Sequence, residues 1–180
     1  MADIQKKYIG LLGGSFDPAH KGHLGISRIA IKKLKLKKIY WVVTKKNPFK
    51  NKTFYSLNKR INFAKKISRY QKNIQVVHLD NIVNSSRSID IINYFIKKKK
   101  LKNIYFIIGS DNIIKFHKWK SWKKIVKLAK LVVFSRKGYD KKGKKSKVVK
   151  HLKKNIIFIN NKPIIISSTK IRNQSNKTYS

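Results

Sequence analysis

The sequence predicts an α/β protein built on a doubly wound, mainly parallel sheet. Short apolar runs of strand length alternate along the chain with longer segments whose apolar residues recur at helical spacing. A glycine turn sits at the first strand-to-helix junction, where many such turns need glycine for backbone geometry alone. The 180 residues suffice for one domain, expected over 1–180, with a core that needs no staples; there is no cysteine for a disulfide or a thiolate metal site. In such a fold, ligands bind at the carboxyl ends of the strands.

The first strand is expected at Tyr8–Leu12. It runs into Gly13-Gly14-Ser15-Phe16-Asp17-Pro18-Ala19-His20-Lys21-Gly22-His23 and then a helix over 21–35, whose inner face carries Leu24, Ile26, Ile29, Ala30, Ile31 and Leu34. The first turn of a helix has unpaired N–H groups and partial positive charge, which makes this junction an anion site. His20 and His23 are three apart, so both imidazoles face the same bound group. Two histidines over a phosphate point to phosphoryl or nucleotidyl transfer. Metal binding is the alternative, but it calls for a third Cys, His or carboxylate, and no other His lies close in sequence.

A second strand is expected at Ile39–Thr44, followed by Asn47-Pro48-Phe49-Lys50, where Lys50 offers an ammonium at a strand end. A helix over 57–70, a strand at Ile74–Leu79 and a helix over 88–99 come next. The fourth strand, Ile104–Ile108, ends in Gly109-Ser110-Asp111-Asn112, a turn that opens another helix. Asp111 either caps that helix or accepts from ribose hydroxyls. Trp119-Lys120-Ser121-Trp122 leads into a helix over 121–129, and its rings either fill the core or leave one flat face to stack a heteroaromatic.

The fifth strand, Leu131–Phe134, precedes residues 137–147, where Gly138 and Gly143 among lysines predict a flexible loop. After a sixth strand at Ile156–Ile159, Ile165-Ile166-Ser167-Ser168-Thr169-Lys170-Ile171-Arg172 passes from an apolar strand through hydroxyls into a helix. Ser168 and Thr169 either cap that helix or, with its N–H groups and Arg172, grip phosphate. The polar tail after Asn173 is expected to fray.

The formal charge of +40 raises a nucleic-acid reading. Arg, however, supplies only six of the 46 basic residues, every one of the six acids is Asp, and Lys, Ile and Asn are abundant together. That pattern reflects compositional bias, and runs such as Lys97–Lys100 read as solvated surface. Met1–Lys7 lacks the apolar core of a signal peptide and no apolar run reaches membrane-spanning length, so a cytoplasmic protein without membrane contact is expected.

The run Gly14-Ser15-Phe16-Asp17-Pro18-x-His20-x-Gly22-His23 resembles the signature of the HxGH nucleotidyltransferases. With Gly109-Ser110-Asp111-Asn112, Trp119-x-x-Trp122 and Ile166-Ser167-Ser168-Thr169-x-Ile171-Arg172, in this order, the chain is similar over nearly its whole length to the bacterial nicotinate-nucleotide adenylyltransferases. The resemblance implies a Rossmann-like nucleotidyltransferase fold and transfer of AMP from ATP to nicotinate mononucleotide, with deamido-NAD and pyrophosphate as products. It implies that His20 and His23 contact the ATP phosphates, with the turn Gly13, Gly14, Ser15 and Phe16 beside them. Gly109 and Asp111 would hold the ribose, and Ser168, Thr169 and Arg172 the phosphates. Trp119 takes the place of the nicotinate-stacking ring, with Lys50 and Ser88 on the acceptor side.

One departure stands out. The family usually shows Ser-Tyr-Thr-x-Asp-Thr where this chain has Ser86-Arg87-Ser88-Ile89-Asp90-Ile91; Ser88 can replace a threonine hydroxyl, whereas Arg87 and Ile91 alter the pocket wall. The attacking phosphate monoester has a second pKa of about 6 and needs no general base near neutral pH. Positive histidine, lysine, arginine and helix N-termini suit the charge that develops. Mg2+ would arrive with ATP, since six acids are too few for a protein-built cage and no metal site of the chain's own is expected. The rivals are a pantetheine-phosphate adenylyltransferase, which shares the HxGH and ISS-type motifs; a nucleic-acid-binding module, which explains the charge but none of the ordered motifs; and a regulatory nucleotide sensor, which would keep the binding glycines without needing both histidines.

Overall fold

The computed structural model describes residues 8–45, 52–161 and 166–177, with the backbone alone for residues 170 and 174–177. Its strands, β1 (Tyr8–Gly14), β2 (Lys38–Val43), β3 (Ile74–Val77), β4 (Asn103–Gly109), β5 (Lys130–Phe134) and β6 (Ile156–Ile159), form one parallel sheet in the order β3-β2-β1-β4-β5-β6. The helices are α1 (Lys21–Lys33), α2 (Leu57–Ser68), α3 (Asp80–Val83), α4 (Ser88–Lys97), α5 (Ser110–Lys115), α6 (Trp122–Leu128), α7 (Asp140–Lys144), α8 (Lys147–Leu152) and α9 (Ser168–Lys177), with a 3₁₀ turn at Phe116–Lys118.

Strands buried on both faces read as continuous apolar runs, and these do. In β1 and β4, Leu11 and Phe106 face a core closed by α4, α5, α6 and α8, while their neighbours Leu12 and Ile107 face a second core closed by α1 and α2. The strand order reverses between β1 and β4. That switch point opens a crevice at the carboxyl ends of the two strands.

The elements shift at their ends for identifiable reasons. β1 continues through Gly13 and Gly14, which still pair with Val42 and Val43 of β2. α1 stops at Lys33 because Lys35 turns left-handed (φ 49°), and Lys100 (φ 53°) closes the stretch after α4 in the same way. β3 ends at Val77, after which the His78 ring takes the Val43 carbonyl at 2.8 Å. Two expectations are overturned. Residues 137–147 are no loose loop but hold α7 and the start of α8, with Gly143 so close to α5 that an added Cβ would lie 3.1 Å from Ile113 Cγ2 and from the Ser110 carbonyl. The tail does not fray at Asn173, since α9 runs to Lys177.

Candidate active site

A cavity of about 640 Å³ occupies the crevice. Every residue to which the resemblance gives a site role lines it except two. Lys50 lies outside the described residues, and Arg172 sits behind the wall rather than in it.

The glycine turn leaves β1 and passes through Phe16, whose left-handed φ of 46° is held by burial: the ring is 2% exposed, stacked 5.3 Å from Trp41 and 4.7 Å from His23. Phe16 is therefore a packed wedge beneath the turn. α1 then starts with a reciprocal cap. His20 Nδ1 accepts from the Gly22 N–H at 3.1 Å, and His23 Nδ1 accepts from the His20 N–H at 3.2 Å. With both Nδ1 atoms accepting, each neutral ring carries its hydrogen on Nε2. The rings lie 4.0 Å apart.

Burial first, and the Arg136 charge second, push the His20 pKa down from 6.5 to about 4. At neutral pH this holds His20 in its neutral form, with its N–H on Nε2. Behind the pair, Trp41 Nε1–H donates to Ser27 Oγ at 2.7 Å, and the Ser27 hydroxyl donates to the His23 carbonyl at 2.8 Å.

Asp17, 3% exposed, ties the turn to its surroundings. Its carboxylate accepts from the Phe54 N–H at 2.7 Å and the Tyr55 N–H at 2.9 Å. Arg172 Nη1 donates to the Asp17 carbonyl at 2.6 Å, Arg172 Nη2 to Thr169 Oγ1 at 3.1 Å, and Ser168 Oγ to the Pro18 carbonyl at 2.9 Å. The hydroxyl end of α9 is thus fastened onto the HxGH turn, which brings the first and last motifs of the chain together.

The opposite wall begins at Gly109. A Cβ there would stand 2.4 Å from Asp111 Oδ1, so only glycine lets this carboxylate fold back onto the strand end. Asp111 does not cap α5: Gly109 is the N-cap, and no side-chain cap hydrogen bond is made there. Its Oδ2 accepts from Arg136 Nη1 at 2.5 Å, and its Oδ1 has no hydrogen-bond partner. Among the described residues it is the one acid lining the cavity, whereas Arg87, Lys118, Lys120, Arg136 and Lys137 supply positive charge. Trp119 borders the cavity with its ring backed by Phe116 at 4.9 Å and Phe106 at 6.1 Å. Trp122 instead meets His151 at 5.1 Å, away from the cavity lining. Ser88 opens α4, and Ser86, Arg87 and Ser88 line the cavity beside it.

Sequence reasoning passed over Arg60, Asp17, Asp80 and Arg136. Arg60 lies in a lysine-rich helix, yet Ala64 and Ser68 at i+4 and i+8 share its buried face and mark it as inward. Among the described residues, no group of three His, Cys, Asp or Glu side chains could hold a metal ion, and no helix is long and apolar enough to cross a membrane.

Comparison with known proteins agrees with this geometry. Residues 11–174 match the cytidylyltransferase-like family model. A protein of Pelagibacter ubique described as a probable nicotinate-nucleotide adenylyltransferase is 51% identical over 169 residues, covering 93% of each chain. Another of that description, from Clostridium tetani, is 34% identical over 179 residues, covering 97% of this chain and 88% of its own. Among solved structures, the nicotinic acid mononucleotide adenylyltransferase of Plasmodium falciparum, complexed with NaAD, superposes with a TM-score of 0.72 at 20% identity over 93% of this chain and 83% of that one. The same enzyme complexed with APC matches equally well. At that identity, the likeness speaks for the fold.

Proposed function

Because this chain belongs to the cytidylyltransferase-like family and, within it, to the nicotinate-nucleotide adenylyltransferases, we propose that it moves AMP from ATP to nicotinate mononucleotide, releasing pyrophosphate and deamido-NAD. The observation that carries this reading is a single cavity lined by the His20–His23 pair, the carboxylate of Asp111, the hydroxyls of α9 and the ring of Trp119.

The acceptor's phosphate oxygen forms the new bond to the α-phosphorus of ATP. The bond from that phosphorus to the bridging oxygen breaks, and the electron pair leaves on pyrophosphate. The acceptor phosphate is already largely dianionic near neutral pH, so no side chain has to remove a proton. The work left to the chain is to hold two anions together and to stabilise the charge that develops. The Nε2–H groups of His20 and His23, the N–H groups at the start of α1, and Ser168 and Thr169 at the start of α9 do this at the phosphates. Asp111 accepts from the ribose, and Gly109 gives it room. Trp119 stacks on the pyridine ring, and the start of α4 with Ser88 receives the nicotinate carboxylate.

A divalent cation enters with ATP and Mg2+ fits that role. Held by phosphate oxygens and water, it would offset charge on the triphosphate and the leaving pyrophosphate. No sequence-specific nucleic acid is a partner in this reading.

Pyrophosphate release with ATP and each of nicotinate mononucleotide, its amide analogue and phosphopantetheine tests the proposal. The acid should react at least ten times faster than the amide, roughly 1.4 kcal/mol, because the amide brings a donor to a wall of donors. Fastest turnover of phosphopantetheine would install the rival acceptor, and no release with any of the three would refute adenylyl transfer.

A further inference from the structure

The side chain that joins most of this site together lines no part of the cavity. Arg60, on the inner face of α2, is 1% exposed. Its Nη1 donates to the Ser15 carbonyl at 2.6 Å and the Thr44 carbonyl at 2.8 Å, Nε donates to the Tyr55 carbonyl at 3.1 Å, and Nη2 to the Lys45 carbonyl at 3.4 Å. These acceptors belong to three segments: the turn after β1, the chain leaving β2, and the stretch before α2. A planar guanidinium with five donors can reach all of them; an ammonium with three donors on one nitrogen cannot.

Two buried carboxylates hold the same segments by their N–H groups. Asp17 takes Phe54 and Tyr55, as described above. Asp80, 6% exposed, accepts from the Lys45 N–H at 2.7 Å and, through the same oxygen, from the Ser86 hydroxyl. Burial lowers the Arg60 pKa, and the charges of Asp17 and Asp80 work against that fall, so a charged guanidinium is tolerated there without a direct ion pair. Ser86 in turn opens the run through Ser88 that lines the cavity where α4 begins.

We propose that Arg60 is a positioning residue for the transfer: through Ser15 it fixes the turn that presents the phosphate donors, and through Lys45, Asp80 and Ser86 it fixes the acceptor wall, so the two reacting groups meet at one separation. The proposal rests on the cavity being the adenylyl-transfer site. Misplacement of reacting atoms by about 1 Å can cost about 10² in rate while each substrate still binds.

The test is Arg60→Lys, which keeps the charge and loses the fork. Dissociation constants for ATP and for nicotinate mononucleotide, each measured alone by calorimetry, should stay within about threefold, while kcat falls by about tenfold or more at a temperature where the variant is fully folded. A merely structural role would lower the melting temperature and leave kcat per folded molecule unchanged, and that result overturns the proposal. So does a loss confined to ATP binding. If Arg60→Lys does not fold, Asp80→Ala cuts the relay further along. It should lower kcat by about tenfold or more while the dissociation constants for ATP and for the mononucleotide, each measured alone, stay within about threefold; an unchanged kcat per folded molecule overturns the proposal. Failure of the wild-type protein to turn over the mononucleotide at all is a different outcome, and it refutes the transfer reading itself.

Discussion

At the scale of single residues, His20 and His23 divide their two ring nitrogens between tasks. Nδ1 of each closes the start of α1, and the hydrogen of each neutral ring lies on Nε2. Burial first, and the Arg136 charge second, oppose a proton on His20, and its pKa falls to about 4. The consequence for stability has a definite sign. Between about 4 and 6.5 the unfolded chain holds a proton that the folded chain refuses, so the contribution of this ring is complete above 6.5 and is lost as the pH falls toward 4. His20→Asn keeps a capping acceptor that does not titrate. Its melting temperature should fall less steeply than that of the wild type over that range in calorimetry, and parallel slopes would contradict the assignment.

The side chains gathered around the cavity were legible in the sequence because their spacing is local: histidines three apart, a glycine and an aspartate at one strand end. Arg60, Asp17 and Asp80 were not. Their partners are main-chain groups far away in sequence, such as Ser15 for Arg60 and Phe54 for Asp17. No residue pattern announces a backbone carbonyl.

At the scale of elements, the strands were readable because burial on both faces makes each an unbroken apolar run, and α1, α2 and α4 because they are long enough to show a period. The short helices α3 and α7 span 4 and 5 residues, less than the length at which periodicity or propensity speaks. Gly143 misled for a related reason. Among lysines it signalled a loose loop, whereas its place is a close approach to α5.

Gly109 carries the sharper test at this scale. The atom its added Cβ would strike is the end of the Asp111 side chain, 2.4 Å away, which can turn aside without moving the backbone. Gly109→Ala should therefore melt within a few degrees of the wild type while raising KM for ATP by about tenfold or more, with KM for the acceptor little changed. An unaltered KM for ATP in initial-rate measurements would remove Asp111 from the ribose.

At the scale of the whole molecule, the net charge of +40 surrounds a cavity whose described lining includes a single acid. Both substrates and both products are anions, so the field favours their encounter, and added salt should slow association more than it slows chemistry. The same charge should bind short duplex DNA at low salt with no sequence preference and release it near physiological salt, a pattern that fluorescence anisotropy would show. Sequence-selective binding that survives about 0.2 M salt would give the surface a second role.

In the proposed transfer, AMP changes hands at the strand ends of β1 and β4. The most direct measurement is the rate of pyrophosphate release by His23→Ala at saturating ATP, Mg2+ and nicotinate mononucleotide, with the fold checked by circular dichroism. Loss of an N–H donor aimed at the developing charge should lower that rate by about 10² or more. A folded His23→Ala protein that releases pyrophosphate at the wild-type rate would contradict the account.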